Sequence, residues 1–210
     1  MKKTATEIFG LTFFFINLIA LAIILTTWNI PLYQFTLRQF DIPRQVGLSE
    51  QTILDNYYCL LHYLFKPWIH TLELPDFPIS VNGAIHFYEV KQLFLVNVGL
   101  LVGTGIYSGF FWIKQFKKVA LWKFRSTFKR ALFAPPIILV VLYFYFDSIF
   151  ILFHEILFRN DYWLFNPVTD PIIQVLPETF FMYCFLSIFI LVELFIFIGW
   201  QLIERITKLS

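Results

Sequence analysis

His86 and His154 are the two residues of this sequence best placed to do chemistry. His86 is followed by Glu89 and Lys91, His154 by Glu155, and each histidine stands at the edge of a long apolar run. On a helix, His86 and Glu89 fall at i and i+3 on one face, so the carboxylate can orient the ring and raise its basicity. An imidazole moves protons near neutral pH, as general base or general acid. Two of them at one depth, on different helices, make a proton-transfer pair. The plainer alternative is that His, Glu and Lys at helix ends only anchor those ends among lipid headgroups. Asp147 lies seven residues before His154, two helical turns deeper on nearly the same face. A carboxylate in hydrocarbon costs at least about 2.5 kcal/mol, so Asp147 should face the bundle interior, either supporting His154 through a hydrogen-bond chain or bonding to another helix. Glu193 poses the same problem with no evident partner.

Other chemistries fit less well. Cys59 and His62, at i and i+3, resemble a thiol nucleophile and its base, but ordinary amphipathic patterning places them equally well. Ser108 sits in Tyr-Ser-Gly rather than a Gly-x-Ser-x-Gly elbow and deep in an apolar run. His86, Glu89, His154 and Glu155 hold the donor types zinc takes, yet no second histidine follows His154 four residues on, so no zincin helix is present. No metal is assigned. Gly99, Gly103, Gly105 and Gly109 lack the preceding strand and the Gly-Lys-Ser/Thr of a phosphate loop and suggest close helix packing instead. Cys59 and Cys184 are taken as packing residues.

The elements that position these groups follow from composition. The chain is 59% apolar, 21% aromatic and 14% charged, a balance that calls for a bilayer as solvent, and its net charge of +2 offers nothing to nucleic acid. Ile8 to Trp28, Leu93 to Ile113, Leu132 to Phe153 and Phe180 to Ile203 each reach the length of about 20 mostly apolar residues that a spanning helix needs. Ala20-Leu21-Ala22 resembles a signal cleavage motif, but the apolar run continues through Ile23 to Leu25, as in an uncleaved anchor. The connection 114–131 holds Lys114, Lys117, Lys118, Lys123, Arg125, Lys129 and Arg130 and no acid, which marks it as cytoplasmic. Lys2, Lys3, Arg205 and Lys208 put both termini on the same side.

The expected fold is therefore membrane all-α: a four-helix transmembrane bundle with a small mixed α/β extracellular cap. Its parts are the N-terminus and first span (1–28), the cap (29–92), the second span (93–113), the basic loop (114–131), the third span (132–153), a second outer segment (154–179) and the last span with the C-terminus (180–210). Within the cap, Tyr33, Phe35 and Leu37 alternate with Gln34, Thr36 and Arg38 and predict a strand over Leu32 to Phe40. Ser49 predicts a helix cap, with apolar residues at helical spacing from Ile53 to Phe65 and a stop at Pro67. Pro75 and Pro78 predict extended chain over Leu72 to Val81, and the second-span helix should start just after Gly83, which puts His86 at the membrane boundary beside His154.

The segment Phe153 to Phe181, with its Phe-His-Glu, Asn-Asp-Tyr-Trp and Thr-Asp-Pro groups, is heavily punctuated. Together with Asn56-Tyr57-Tyr58, Leu64 and His86-Phe87-Tyr88-Glu89-Val90-Lys91, it resembles the bacterial lipoprotein intramolecular transacylases over essentially the whole chain. The resemblance implies transfer of the sn-2 acyl chain of a diacylglyceryl-cysteine to the α-amino group of that cysteine, with diacylglyceryl lipoproteins and membrane phospholipid as partners. It implies no cofactor, because an amide formed from an ester needs no energy source. By motif the family's catalytic histidines fall on His86 and His154; the family motif carries Asp where this chain has Glu89. Glu89, Lys91, Asp147, Glu155, Tyr57, Tyr58, Trp163 and Asp170 are the supporting or substrate-binding candidates, though Tyr162 and Trp163 also suit an ordinary interfacial belt. A non-catalytic lipoprotein-binding protein and a metal-dependent lipid hydrolase are the alternatives.

Overall fold

The structure is a computed structural model that describes residues 3–117 and 120–209; Lys2 and Lys118, counted among the basic residues above, lie outside them. In chain order its helices are α1 (Ala5–Thr27), α2 (Ile30–Gln39), α3 (Ile42–Val46), α4 (Glu50–Phe65), α5 (Val81–Lys117), α6 (Arg125–Ala131), α7 (Ala134–Phe144), α8 (Phe146–Leu157) and α9 (Glu178–Leu209), with single 3-10 turns at Leu121–Phe124 and Pro171–Gln174. No strand occurs among the described residues, so the mixed α/β cap is corrected to an all-helical segment. Among the described residues four stretches are long and apolar enough to cross a membrane: Ala5–Thr27, Val81–Lys117, Leu121–Phe144 and Glu178–Lys208.

The predicted strand over Leu32 to Phe40 is helix α2. Asn29 accepts a hydrogen bond from the Leu32 amide at 3.2 Å, and Pro31 sits in the first turn, where a missing N–H costs nothing. Tyr33 and Leu37, at i and i+4, are fully buried while Phe35 is 55% exposed, a helical and not a strand pattern. The Ser49 cap is as expected, accepting from the Thr52 amide at 3.0 Å to open α4. The third apolar stretch is not one helix. It breaks at Tyr145, where φ −125° and ψ 26° leave the helical region, and divides into α7 and α8.

The chain forms two compact units. The first comprises Met1–Thr26, Asn97–Phe144 and Phe185–Ser210. Its core gathers Leu11, Leu18, Phe111, Phe124, Phe128, Val192 and Ile196, with Trp112 edge-on to Phe14 at 5.2 Å. Asn17 donates to the Leu101 carbonyl at 2.7 Å and Asn97 to the Ala20 carbonyl at 3.1 Å, joining α1 to α5 with polar contacts that an apolar solvent favours. Glu7 pairs with Lys123 at 3.1 Å, and Arg125 with Glu204.

The four glycines from Gly99 to Gly109 do not behave as close-packing residues. A Cβ on Gly99, Gly103 or Gly109 would meet nothing within 4 Å, and on Gly105 only Asn17. In this unit the tight positions are Gly10 against the Phe111 ring and Gly199 against Phe128. Both rings are buried in this core, so the neighbours have little room to yield.

The second unit comprises Thr27–Val96 and Tyr145–Cys184. Tyr33 lies at its centre, stacked on Tyr57 at 4.1 Å, with its hydroxyl donating to the Val175 carbonyl at 2.8 Å. Ile53, Leu61, Ile172 and Val175 complete the core. The proline-punctuated chain between α4 and α5 is neither helix nor strand, turning at Pro67–Trp68 and bending at Pro75–Asp76, and is held by Asn56, which donates to Asp76 at 2.7 Å.

Gly199→Ala should destabilise the protein by about 1–3 kcal/mol through overpacking against Phe128, whereas Gly99→Ala, with open space around it, should be neutral or slightly stabilising. Thermal unfolding in detergent checks this; equal behaviour of the two variants would contradict the packing described.

Candidate active site

Every residue of the candidate site belongs to the second unit. Helix α5 is anchored at its first turn: the Ser80 hydroxyl accepts from the Gly83 amide at 3.0 Å, and the Ser80 amide donates to Asp170 Oδ1 at 2.7 Å. Thr169 donates to the other Asp170 oxygen at 2.7 Å. Glycine at residue 83 lets the Asp170 carboxylate lie against the helix, since a Cβ there would displace it. This clamp fixes the start of the helix that carries His86, within the turn that precedes it.

His154 lies in the last turn of α8. The rings of His86 and His154 converge, their centroids 6.0 Å apart at an interplanar angle of 35°. Both residues are buried, 6% and 9% exposed. Aromatic rings enclose them: Phe158 edge-on to His86 at 4.7 Å, Phe165 edge-on at 5.5 Å, Phe150 against His154 at 4.2 Å and Trp163 stacked on it at 4.6 Å. Phe165 also lines a cleft of about 400 Å³ beside Ser80, Asn82, Asn166 and Asp170.

His154 Nδ1 lies 2.7 Å from the Phe150 carbonyl oxygen, which can only accept, so Nδ1 carries the hydrogen and Nε2 is left as the working edge. Burial among apolar rings pushes the His154 pKa below the usual imidazole value, with the Phe150 carbonyl partly opposing. His86 Nδ1 is sealed from solvent with no hydrogen-bond partner. An orphan of that kind costs about 1–3 kcal/mol, an expense typical of functional sites.

Glu89 does not bond to His86. Its Oε1 accepts from Asn160 at 2.9 Å, Asn160 Oδ1 in turn accepts from the Tyr162 amide at 3.1 Å, and Glu89 Oε2 is buried without a partner. Lys91 is turned elsewhere, donating to the Ile69 carbonyl and lying 4.4 Å over the Tyr63 ring. Asp147 is exposed, with the Glu178 carboxyl beside it, and no hydrogen bond joins it to His154 among the described residues, so it does not face a bundle interior. Glu155 is exposed. Tyr57 is a core residue whose hydroxyl donates to the Thr27 carbonyl at 3.0 Å, and Tyr58 packs half-buried on the same core. Of the candidates, Glu89, Trp163 and Asp170 are tied to the elements that hold the two rings, and the last acts by clamping α5. His62 is exposed beside Trp28, with no bond to Cys59. No cluster of three or more His, Cys, Asp or Glu that could hold a metal occurs among the described residues.

Three neighbours of the pair, Phe150, Phe158 and Phe165, and the Glu89 partner Asn160 were not singled out from sequence. Phe150 and Phe158 could have been found, since i−4 and i+4 from His154 share its helical face. Phe165 and Asn160 come from the loop after α8, whose folding no local spacing signals.

A family model described as "Lipoprotein intramolecular transacylase Lit" matches residues 8–181. The chain belongs to the Lit family. A solved Lit from Bacillus cereus, an integral membrane protein, is 29% identical and superposes with a TM-score of 0.87, over 97% of this chain and 94% of that one. Two forms of the same Bacillus cereus Lit with one histidine replaced, by arginine in one and alanine in the other, are 27% and 28% identical, each with a TM-score of 0.82 over 97% of this chain and 92% of that one. No curated protein matches. With its four apolar helices and its membrane-integral Lit relatives, this is a bacterial membrane protein and a transacylase by family.

The depressed His154 pKa has a consequence for stability. The unfolded chain takes up a proton on this imidazole as pH falls through about 6.5, while the folded state resists until its lower pKa is reached. Stability therefore falls with pH in that window and levels off below it. The unfolding temperature of the natural protein should drop more steeply there than that of His154→Gln; parallel curves would contradict the buried, neutral ring.

Proposed function

We propose that this protein moves the sn-2 O-acyl chain of a diacylglyceryl-cysteine onto the α-amino group of that same N-terminal cysteine, leaving an N-acyl, lyso-form lipoprotein. The observation that carries this reading is the convergence of His86 and His154, from α5 and α8, to 6.0 Å within an aromatic enclosure. Two ring edges so placed can each serve one of the two heteroatoms that flank a single acyl carbon. One imidazole takes a proton from the attacking amine and the other delivers one to the departing glyceryl oxygen, each step of the kind that contributes about 100- to 10,000-fold.

Little further machinery is needed. Donor and acceptor are already joined in one molecule, so holding them in a near-attack geometry removes much of the entropic barrier. Exchange of an ester for an amide is downhill and calls for no cofactor. The apolar rings around the pair keep water from competing as the nucleophile and suit a lipid substrate. The basic connection 114–131 is assigned to the cytoplasm with both termini, and the histidine pair to the outer leaflet, on the distribution of Lys and Arg. The aromatic-rich segments around the pair, with Trp163 stacked on His154, support a role in folding the acyl chain toward the amine.

Purified protein incubated with a synthetic diacylated lipopeptide should yield a product of unchanged mass whose acyl chain, located by tandem mass spectrometry, has moved to nitrogen. His86→Gln and His154→Gln should each lower the rate by at least about 100-fold while the proteins stay folded. Release of free fatty acid would instead indicate a hydrolase, and full activity in cells of either variant would indicate a protein that only binds lipoproteins.

A further inference from the structure

One turn of α5 carries two buried polar atoms that the fold leaves without partners, His86 Nδ1 and Glu89 Oε2. Spaced at i and i+3, the two side chains share a helix face. Glu89 is not loose: the Tyr162 amide can only donate, which sets Asn160 with its carbonyl toward Tyr162 and its NH₂ toward Glu89 Oε1. The carboxylate is thereby oriented with one oxygen in reserve. No ion pair of Glu89 occurs among the described residues, and Lys91, the nearest cation in sequence, is committed to Ile69 and Tyr63.

We propose that Glu89 Oε2 and His86 Nδ1 together receive the α-ammonium group of the acceptor cysteine, which makes Glu89 a substrate-binding residue that selects for a free amino terminus. The proposal rests on the O-to-N transfer reading above. Its chemistry follows from the two atoms. With the His86 ring proton on Nε2 both atoms accept hydrogen bonds, the carboxylate adds negative charge, and an ammonium supplies several donors with the opposite charge. A phosphate or carboxylate is repelled there, and a neutral hydroxyl leaves the carboxylate uncompensated.

The steps balance in protons and bonds. The bound ammonium gives one proton to His86 Nδ1 and becomes the amine that attacks the ester carbon. As the carbon–nitrogen bond forms, the nitrogen sheds a second proton to His154 Nε2. His154 passes that proton to the glyceryl oxygen as the carbon–oxygen bond breaks, and His86 gives its proton to water when departure of the product opens the site. The product nitrogen is a neutral amide with a single N–H, which Glu89 no longer holds, so the same contact favours release.

The test compares binding of two synthetic diacylated lipopeptides to the purified full chain, one with its α-amine and one with that amine replaced by hydrogen. The natural protein should bind the amine form about 10- to 100-fold more tightly, with the preference fading as pH rises above the amine's range of about 7.7 to 8.0. Glu89→Gln should abolish the preference by weakening only the amine form, and Glu89→Asp should restore part of it. Equal binding of the two lipopeptides by the natural protein, or an equal loss for both in Glu89→Gln, would overturn the proposal. Failure of the transfer reading shows separately, as no acyl shift to nitrogen by the natural protein in mass spectrometry.

Discussion

The approach of two imidazoles inside a shell of aromatic side chains is the constraint from which the rest of the second unit takes its meaning. Imidazoles are costly to bury without partners, and these two are nearly closed off from solvent, one with an orphan nitrogen and the other bonded only to a carbonyl of its own helix. Such an arrangement persists only where surrounding packing over-determines it. Phe150, Phe158, Phe165 and Trp163 supply that packing, and they do so from α8 and the loop after it, which also sends Asn160 to Glu89. The same stretch of chain thus holds both rings.

Behind the pair stands a second layer of constraint. Asp170 bonds to Ser80 ahead of α5 and leaves no room for a side chain at Gly83, so the turn that precedes His86 is fixed relative to the loop that covers it. The 3-10 turn that follows Asp170 feeds Ile172 and Val175 into the core around Tyr33 and Tyr57. Burial of the core, the clamp at Asp170 and the aromatic enclosure are consecutive links in one chain of contacts. In the proposed reaction this rigidity takes the place of cofactor chemistry: an intramolecular transfer needs its reacting groups held and its protons routed, and little else.

Much of this was legible in the residues, and the failures have physical causes. The apolar runs announced the membrane, Ser49 announced α4, and the two histidines stood out by type and by position at the ends of such runs. The mistaken strand over Leu32 to Phe40 rested on three alternating apolar residues, a window too short to separate a period of 2 from one of 3.6; Asn29 and Pro31 were the better signal. The break at Tyr145 has neither Gly nor Pro to mark it. Gly99, Gly103, Gly105 and Gly109 suggested packing by composition alone, whereas tightness at Gly10 and Gly199 depends on which aromatic ring arrives opposite. Asn160 and Phe165 join the site through a loop, and no spacing rule reaches across one.

If His86 and His154 form one proton-transfer unit, their contributions to the rate cannot be independent. The most direct measurement is a double-mutant cycle on lipopeptide acyl transfer, with His86→Gln, His154→Gln and the double variant assayed beside the natural protein. The account predicts that the double variant is no slower than the slower of the two single variants. Losses that multiply would show two rings acting separately and would contradict it.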